Sequence, residues 1–299
     1  MGVAHLNRAA AVKDDEFYTL YEDIEKELVH YKDYLAGKSV YCCCDNPEVS
    51  NFWKYLHEHF SEYKLKSLTC TFYSNCDRVY MKQYMGGADE DIKAGVVTWL
   101  YGDGDFRSDE CKHIMSVNDV IITNGPFSLN RQLYRQILDL GKDFILVVAN
   151  TMLGRMAEVH LVMQGKMRVG LNKLIKFERP TGDFSKVYAF WITTFPVNNN
   201  KHLELYTGEY DYKIYDNCLD LYGDIIEVPK LSLIPDGYDG LMGVPITIMR
   251  YWNPDNEQFE VLGTDVEFLD SMYDVSGHKY SHPFIDGREI FNRIIIRLK

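Results

Sequence analysis

The run Val120-Ile121-Ile122 is wholly apolar and ends abruptly in Thr123-Asn124-Gly125-Pro126-Phe127. A short apolar run closed by a polar-Gly-Pro-aromatic turn reads as a buried parallel strand. Open α/β sheets bind ligands at the carboxyl ends of such strands. The side chains of the turn also fit together chemically. An Asn amide oxygen and a backbone carbonyl can both accept from one planar amino group, while a Phe ring stacks on the flat system carrying it. The pattern suits a nucleobase or an amide. It also suits a plain strand-ending turn, because Asn and Gly tolerate left-handed backbone angles and Pro punctuates chains.

The other sequence features narrow the field. With 299 residues, the chain can bury a substantial core as one large domain or two smaller ones. Hydrophobic residues at 46% and charged residues at 25% are ordinary for a soluble globular protein. No apolar run has the length of a bilayer span, and the first ten residues lack the apolar core of a secretory signal. A cytoplasmic protein with no membrane partner is expected. The seven cysteines, three of them consecutive at Cys42-Cys43-Cys44, have no disulfide-framework or zinc spacing. They are read as reduced thiols, with no metal site. The net charge of −12 is spread over both halves, which argues against the basic footprint usual in nucleic-acid binding.

In chain order, residues 1–13 read as an N-terminal arm. A helix is predicted over 21–35, with acids in its first turn, apolar residues at Ile24, Leu28, Tyr31 and Leu35, and Gly37 as its stop. A strand over 38–44, an amphipathic helix over 50–63 and a strand over 65–73 follow. Residues 74–95 are polar and contain Gly86-Gly87, which predicts a mobile loop. A short strand over 96–100, a helix over 108–115, the 120–122 strand, a helix over 129–140 and an apolar strand over 144–149 continue the alternation. Strands and helices alternating on this scale predict a doubly wound, mostly parallel α/β sheet. The texture changes after Gly170, where 187–195 reads as a strand able to close the sheet and Asn198-Asn199-Asn200 as a break. The rest, with five of the nine prolines and many Asp-Gly turns, is expected to be an irregular appended recognition region. The division is thus 1–13, 14–197 and 198–299.

Several stretches together resemble one family, the EcoRI-type adenine-specific DNA methyltransferases. They are Asp15-Glu16-Phe17-Tyr18-Thr19, Ile24-Glu25-Lys26-Glu27-Leu28, Val40 to Pro47, Ser50-Asn51-Phe52-Trp53, Gly102-Asp103-Gly104-Asp105-Phe106-Arg107-Ser108, Asp119 to Phe127, Tyr238 to Thr247, Phe284-Ile285-Asp286-Gly287 and Arg293-Ile294-Ile295-Ile296-Arg297. Their shared order along the chain is what makes the resemblance specific. It implies a Rossmann-like class I methyltransferase core that uses S-adenosylmethionine to methylate the N6 amino group of a flipped-out adenine in double-stranded DNA. It also implies a restriction-modification or phage setting. The oligomeric state is open, with a monomer favoured.

The resemblance assigns roles residue by residue. The amino-methyltransferase signature is Asn or Asp, Pro, Pro, then Phe or Tyr. Asn124, Gly125, Pro126 and Phe127 match it except at Gly125, which keeps a backbone carbonyl but loses the rigidity of proline. The acceptors at Asn124 and Gly125 would hold the target amine, and Phe127 would stack on the base. Tyr18, Thr19, Cys44 and Asp45 fall to the methionine end of the cofactor, and Asp103, Asp105 and Phe106 to the adenosine. An Asp-Gly-Asp calcium loop is excluded because Arg107 occupies the next alternate ligand position. In the tail, Arg288, Arg293 and Arg297 suggest a strand with a basic face for DNA phosphates, against the plain alternative of a solvated strand. Two other functions stay open: a cofactor-binding relative with weakened catalysis, and a methyltransferase acting on an RNA base or a protein glutamine amide.

Overall fold

A computed structural model describes residues 17–87, 95–179, 181–197, 201–273, 279–280 and 282–299. The expected arm over 1–13 and the Asn198-Asn199-Asn200 break lie outside these residues. The chain forms two compact units, one running to Ala149 and joined by Gly170–Val197, the other made of Asn150–Val169 and the chain after Val197.

The first unit is an α/β structure built on a nine-stranded sheet. Its strands are β1 (Tyr18–Thr19), β2 (Ser39–Cys42), β3 (Ser67–Cys70), β4 (Tyr80–Tyr84), β5 (Val96–Trp99), β6 (Val120–Thr123), β7 (Asp143–Ala149), β8 (Arg168–Glu178) and β9 (Phe184–Thr193), in the spatial order β1-β8-β9-β7-β6-β2-β3-β4-β5. The four central strands β7, β6, β2 and β3 are parallel, with Val40 opposite Val120 and Ile122 opposite Ile145. Every residue of β2, β3 and β6 is buried, as expected for strands covered on both faces. Antiparallel strands flank this centre: β3 pairs with β4, β4 with β5, β7 with β9, and β1 with β8.

Helix α1 (Tyr21–Leu28) buries Ile24 and Leu28 against a core shared with Phe52, Trp53, Ile122 and Trp191. The continuous helix expected over 21–35 is instead broken by a 3-10 turn at Val29–Tyr31 before a last turn at Lys32–Leu35. Helix α2 (Asn51–Glu58) starts at Ser50, whose hydroxyl accepts from the amides of Phe52 at 3.1 Å and Trp53 at 3.3 Å. Helix α3 (Asp109–Val117) leads into β6, and α4 (Asn130–Asp139) leads from it to β7.

The mobile loop expected over 74–95 is corrected where it is described, because β4 lies within it, while residues 88–94 lie outside the described residues. Lys82 on that strand is buried. Its ammonium reaches Glu48 at 3.3 Å and lies 5.4 Å from the Trp53 ring centre. A strand that buries a lysine stem under an aromatic ring reads as polar in sequence.

In the second unit, helix α5 (Met156–Met163) accompanies a four-stranded sheet. Its strands are β10 (Ile225–Glu227), β11 (Leu241–Pro245), β12 (Phe259–Thr264) and β17 (Arg293–Leu298), in the order β10-β11-β17-β12. Two short ladders complete it, β13 (Met272–Tyr273) with β14 (Lys279–Tyr280) and β15 (Phe284–Ile285) with β16 (Arg288–Glu289). The region expected to be irregular therefore holds a sheet, with Ile294, Ile295 and Ile296 fully buried in its central strand. Short strands divided by prolines and Asp-Gly turns gave little periodicity to read. Among the described residues no helix is long and apolar enough to cross a membrane.

Candidate active site

The chain leaves β2 for β3 on one side, while β6 lies on the other side of β2. Connections that diverge from neighbouring parallel strands leave a crevice at their carboxyl ends, the usual binding place in such sheets. Asp45 follows β2 and Asn124 follows β6, so both reach this crevice end.

Asp45 is buried and accepts three hydrogen bonds. Its Oδ1 accepts from the Ser50 hydroxyl at 2.8 Å and its Oδ2 from the Thr123 hydroxyl at 2.5 Å. The backbone N–H of Asn124 also donates to it. Desolvation by burial pushes its pKa up to about 6, and these three donors hold it from going higher. The same Ser50 that caps α2 thus orients the carboxylate. Cys44, half-buried next to it, has its Sγ 3.7 Å from that of Cys43.

The side-chain amide of Asn124 is fixed at one end only. Its Nδ2 donates to the carbonyl of Phe17, and its Oδ1 is buried with no hydrogen-bond partner among the described residues. A buried acceptor without a donor costs about 1–3 kcal/mol, so such an atom marks a place where a donor belongs. Phe127 stacks on Phe17, with ring centres 5.6 Å apart and planes at 27°. Phe177, from β8, meets Phe127 edge-on at 5.8 Å and Phe17 at 6.1 Å.

Gly125 sits in a tight place. A Cβ built there would lie 2.7 Å from Leu133 Cδ2 and 3.5 Å from Cys44 Sγ. The carbonyl of Gly125 is 3.5 Å from Asn130 Nδ2, at the limit of a hydrogen bond. Pro126 opens the 3-10 turn Phe127–Leu129, its carbonyl accepting from Leu129 at 2.9 Å.

The sequence pattern does not single out Asn130. It is buried, and its side chain ties the motif to β7 through the Val147 carbonyl at 3.4 Å and the Ala149 amide at 3.3 Å. An asparagine at a helix start looks like an ordinary cap, so no sequence signal marked it. Phe17 likewise enters the resemblance only as part of a longer stretch.

Tyr18 and Thr19 form β1 beside Glu178 and Phe177. Thr19 Oγ1 is buried without a partner among the described residues, and its carbonyl accepts from Asn51 at 2.9 Å. The turn 103–106 abuts the segment after β3. The Asp103 carbonyl accepts from the Ser74 amide at 3.0 Å, and Gly104 has φ of +78° with its would-be Cβ 1.9 Å from the Phe72 carbonyl oxygen. Only glycine fits there. Asp105 binds Arg107 through Nε at 2.9 Å and Nη2 at 2.5 Å, which holds its carboxyl below the usual range. Phe106 is buried, and its carbonyl accepts from Gln136 at 2.9 Å.

The three tail arginines are not presented as one free basic face. Arg293 is paired with Glu227 at 2.6 Å in a site where both side chains are largely buried, and the Tyr215 hydroxyl donates to the same carboxylate. Arg297 pairs with Glu260 at 2.5 Å near the surface. Arg288 is exposed and lies on the separate strand β16.

Sequence comparison adds an independent line. The profile of the family described as adenine-specific methyltransferase EcoRI matches residues 5–186 and 181–299. The chain is 34% identical over 294 residues to the Type II methyltransferase M.EcoRI of Escherichia coli, covering 86% of this chain and 88% of that one. It is 28% identical over 324 residues to the Type II methyltransferase M.MpnI of Mycoplasma pneumoniae, covering 98% of each. A Type II methyltransferase of Mycoplasma genitalium, M.MgeORF184P, is 28% identical over 281 residues, covering 86% of this chain and 85% of that one. No solved structure matches the chain.

Proposed function

We infer the function from one premise: the chain belongs to the EcoRI family of adenine-specific methyltransferases. The reading is a DNA methyltransferase that transfers a methyl group from S-adenosylmethionine to the N6 amino group of an adenine turned out of double-stranded DNA. In it the nine-stranded sheet is a Rossmann-like class I core and the second unit is the target-recognition region. The protein works in the cytoplasm, in a restriction-modification or phage setting, with the oligomeric state open and a monomer favoured.

The observation that carries this reading is the buried, unpartnered Oδ1 of Asn124 at the carboxyl end of β6. The exocyclic amine of adenine is a poor nucleophile because its lone pair is delocalised into the ring. Acceptors at Asn124 Oδ1 and the Gly125 carbonyl favour a pyramidal nitrogen and localise that lone pair. Positioning of this kind supplies much of the rate. The Phe127 ring offers a stacking surface for an extruded base, which costs a few kcal/mol of unstacking to deliver.

The residues of this chain fit the cofactor. The Asp45 carboxylate suits an ammonium, and the orphaned Thr19 Oγ1 is a polar contact at the same end of the sheet. Tyr18 and Cys44 complete that group, while Asp103, Asp105 and Phe106 would border the adenosine. When bound, S-adenosylmethionine supplies a methyl group activated by its sulfonium. Gly125 is compatible with this role because Leu133 fills the space a side chain would need. Among the tail residues, Arg288 is the arginine whose charge is best placed for DNA phosphate, with Arg297 and Arg293 contributing only if their carboxylates release them. The alternatives are a relative that binds cofactor with weakened catalysis and a methyltransferase acting on an RNA base or a glutamine amide.

The test is transfer of labelled methyl from S-adenosylmethionine to unmethylated genomic DNA, with the product nucleoside identified by chromatography. Label in N6-methyladenine is expected, and Asn124→Ala should lower the rate by about 10²–10³-fold, as loss of a transition-state acceptor does. Cofactor binding without any labelled base would overturn the DNA reading.

A further inference from the structure

We propose that Phe17 is a positioning residue for Asn124: its main-chain carbonyl decides which end of the Asn124 amide faces the site. The proposal deepens the reading given above and rests on it for its catalytic consequence.

An asparagine side chain ends in a carbonyl and an amino group on a terminal torsion that is broad and roughly two-fold. Only one of the two orientations offers an acceptor to a substrate amine. The other offers two N–H donors and repels it. The Phe17 carbonyl oxygen can only accept, so it selects the Nδ2 end of Asn124 and turns Oδ1 away from itself. The reversed amide would set two carbonyl oxygens against each other. The selected orientation leaves Oδ1 buried and unpartnered, which would be an odd resting state unless a donor arrives there.

Phe17 is held in register for this task from β8 and from the motif itself. Its own strand neighbours Tyr18 and Thr19 pair with β8. Its ring stacks on Phe127, the proposed base-stacking residue, and Phe177 packs edge-on against both rings. The Asn124 main chain is pinned from the opposite side, where its amide donates to Asp45. Amide, ring and backbone are therefore fixed by groups from β8, from the segment before β1 and from the end of β2.

The proposal makes a chemical demand. A carboxylate at position 124 has no hydrogen to give the Phe17 carbonyl, so Asn124→Asp would place an ionised oxygen against it. Protonation restores a donor. The variant should be poorly active near pH 8 and recover relative to wild type as the pH falls, whereas a change that merely loosened the fold would not gain on wild type at low pH.

The experiment has two readouts on the full chain. In ¹⁵N-asparagine-labelled protein, exchange of the Asn124 side-chain amide is expected to be slowed by about tenfold or more relative to a free amide, the factor one retained hydrogen bond supplies. Phe17→Gly, which frees the backbone and removes the ring, should abolish that protection, and Phe17→Leu should keep it. In methyl transfer, Phe17→Gly should lower kcat by about 100-fold at saturating cofactor, the scale of a 1 Å misplacement. Free-amide exchange in the wild type overturns the proposal, whatever the activity. A Phe17→Gly variant that binds cofactor weakly but keeps kcat also overturns it, and makes Phe17 a cofactor shelf. Protected exchange in a protein with no methyl transfer would leave the positioning intact and sink the function reading instead.

Discussion

The Thr123 hydroxyl donates to Asp45 Oδ2 at 2.5 Å, joining residues 78 positions apart in the chain. Asp45 stands at the end of β2 and Thr123 at the end of β6, so the bond ties the two walls of the crevice. It places the proposed cofactor carboxylate one residue from the proposed acceptor Asn124. Whatever changes the charge on Asp45 is felt by the strand end that carries the motif.

Cofactor affinity is expected to depend on pH through Asp45. Its folded pKa is raised to about 6 by burial. An ammonium needs the ionised form, so binding should strengthen as the pH rises from 5 to 7 and lose that dependence in Asp45→Asn. Without ligand the sign for stability is opposite. A carboxyl with a raised folded pKa contributes its stability fully below the unfolded value near 4, and that contribution is lost as the pH rises through about 6. Isothermal titration across this range and unfolding of the apo protein check the two halves.

Thr123→Val should remove a donor from a buried carboxylate while keeping the shape of the strand end. The cost expected is about 1–3 kcal/mol in chemical unfolding, with the Asp45 pKa pushed further up. NMR titration of the Asp45 carboxyl reads the second effect directly.

Gly125→Ala should destabilise the protein by about 1–3 kcal/mol, because its Cβ would meet Leu133 Cδ2 at 2.7 Å in a filled core. Shortening Leu133 to Val in the same chain should return part of that loss. A double-mutant cycle on unfolding free energies tests the coupling, and additive costs would show that the two residues do not share the space.

The arginines of the second unit should separate by burial. Arg293→Gln leaves Glu227 buried without its cation and should cost about 3–5 kcal/mol. Arg297→Gln breaks a partly exposed pair and should cost no more than about 1 kcal/mol. If Arg288 contacts phosphate, Arg288→Gln should leave stability unchanged and reduce the salt dependence of DNA binding by about one unit of slope. Denaturation curves and binding at several salt concentrations distinguish these roles.

The central parallel strands and the motif at the end of β6 were legible in the sequence because they rest on local rules. A run such as Val120-Ile121-Ile122 has one place to go in an α/β sheet, and a turn of Asn, Gly and Pro says where it stops. The order of short matches along the chain supplied the family. What the sequence concealed was strand β4, whose buried Lys82 reads as polar, and the sheet of the second unit, whose strands are short and interrupted by prolines. Both depend on partners supplied from a distance.

By itself the sequence determined the alternation of strands and helices, the motif Asn124 to Phe127, and the family, since these need only near neighbours or linear order. The tertiary structure decided which groups those residues meet. It set the Phe17 carbonyl against the Asn124 amide across 107 positions, and it gave Arg293 to Glu227 across 66. It also filled the space over Gly125 with Leu133. Hydrogen bonds and van der Waals contacts act over a few ångströms, and only the folded chain brings such remote residues within that range.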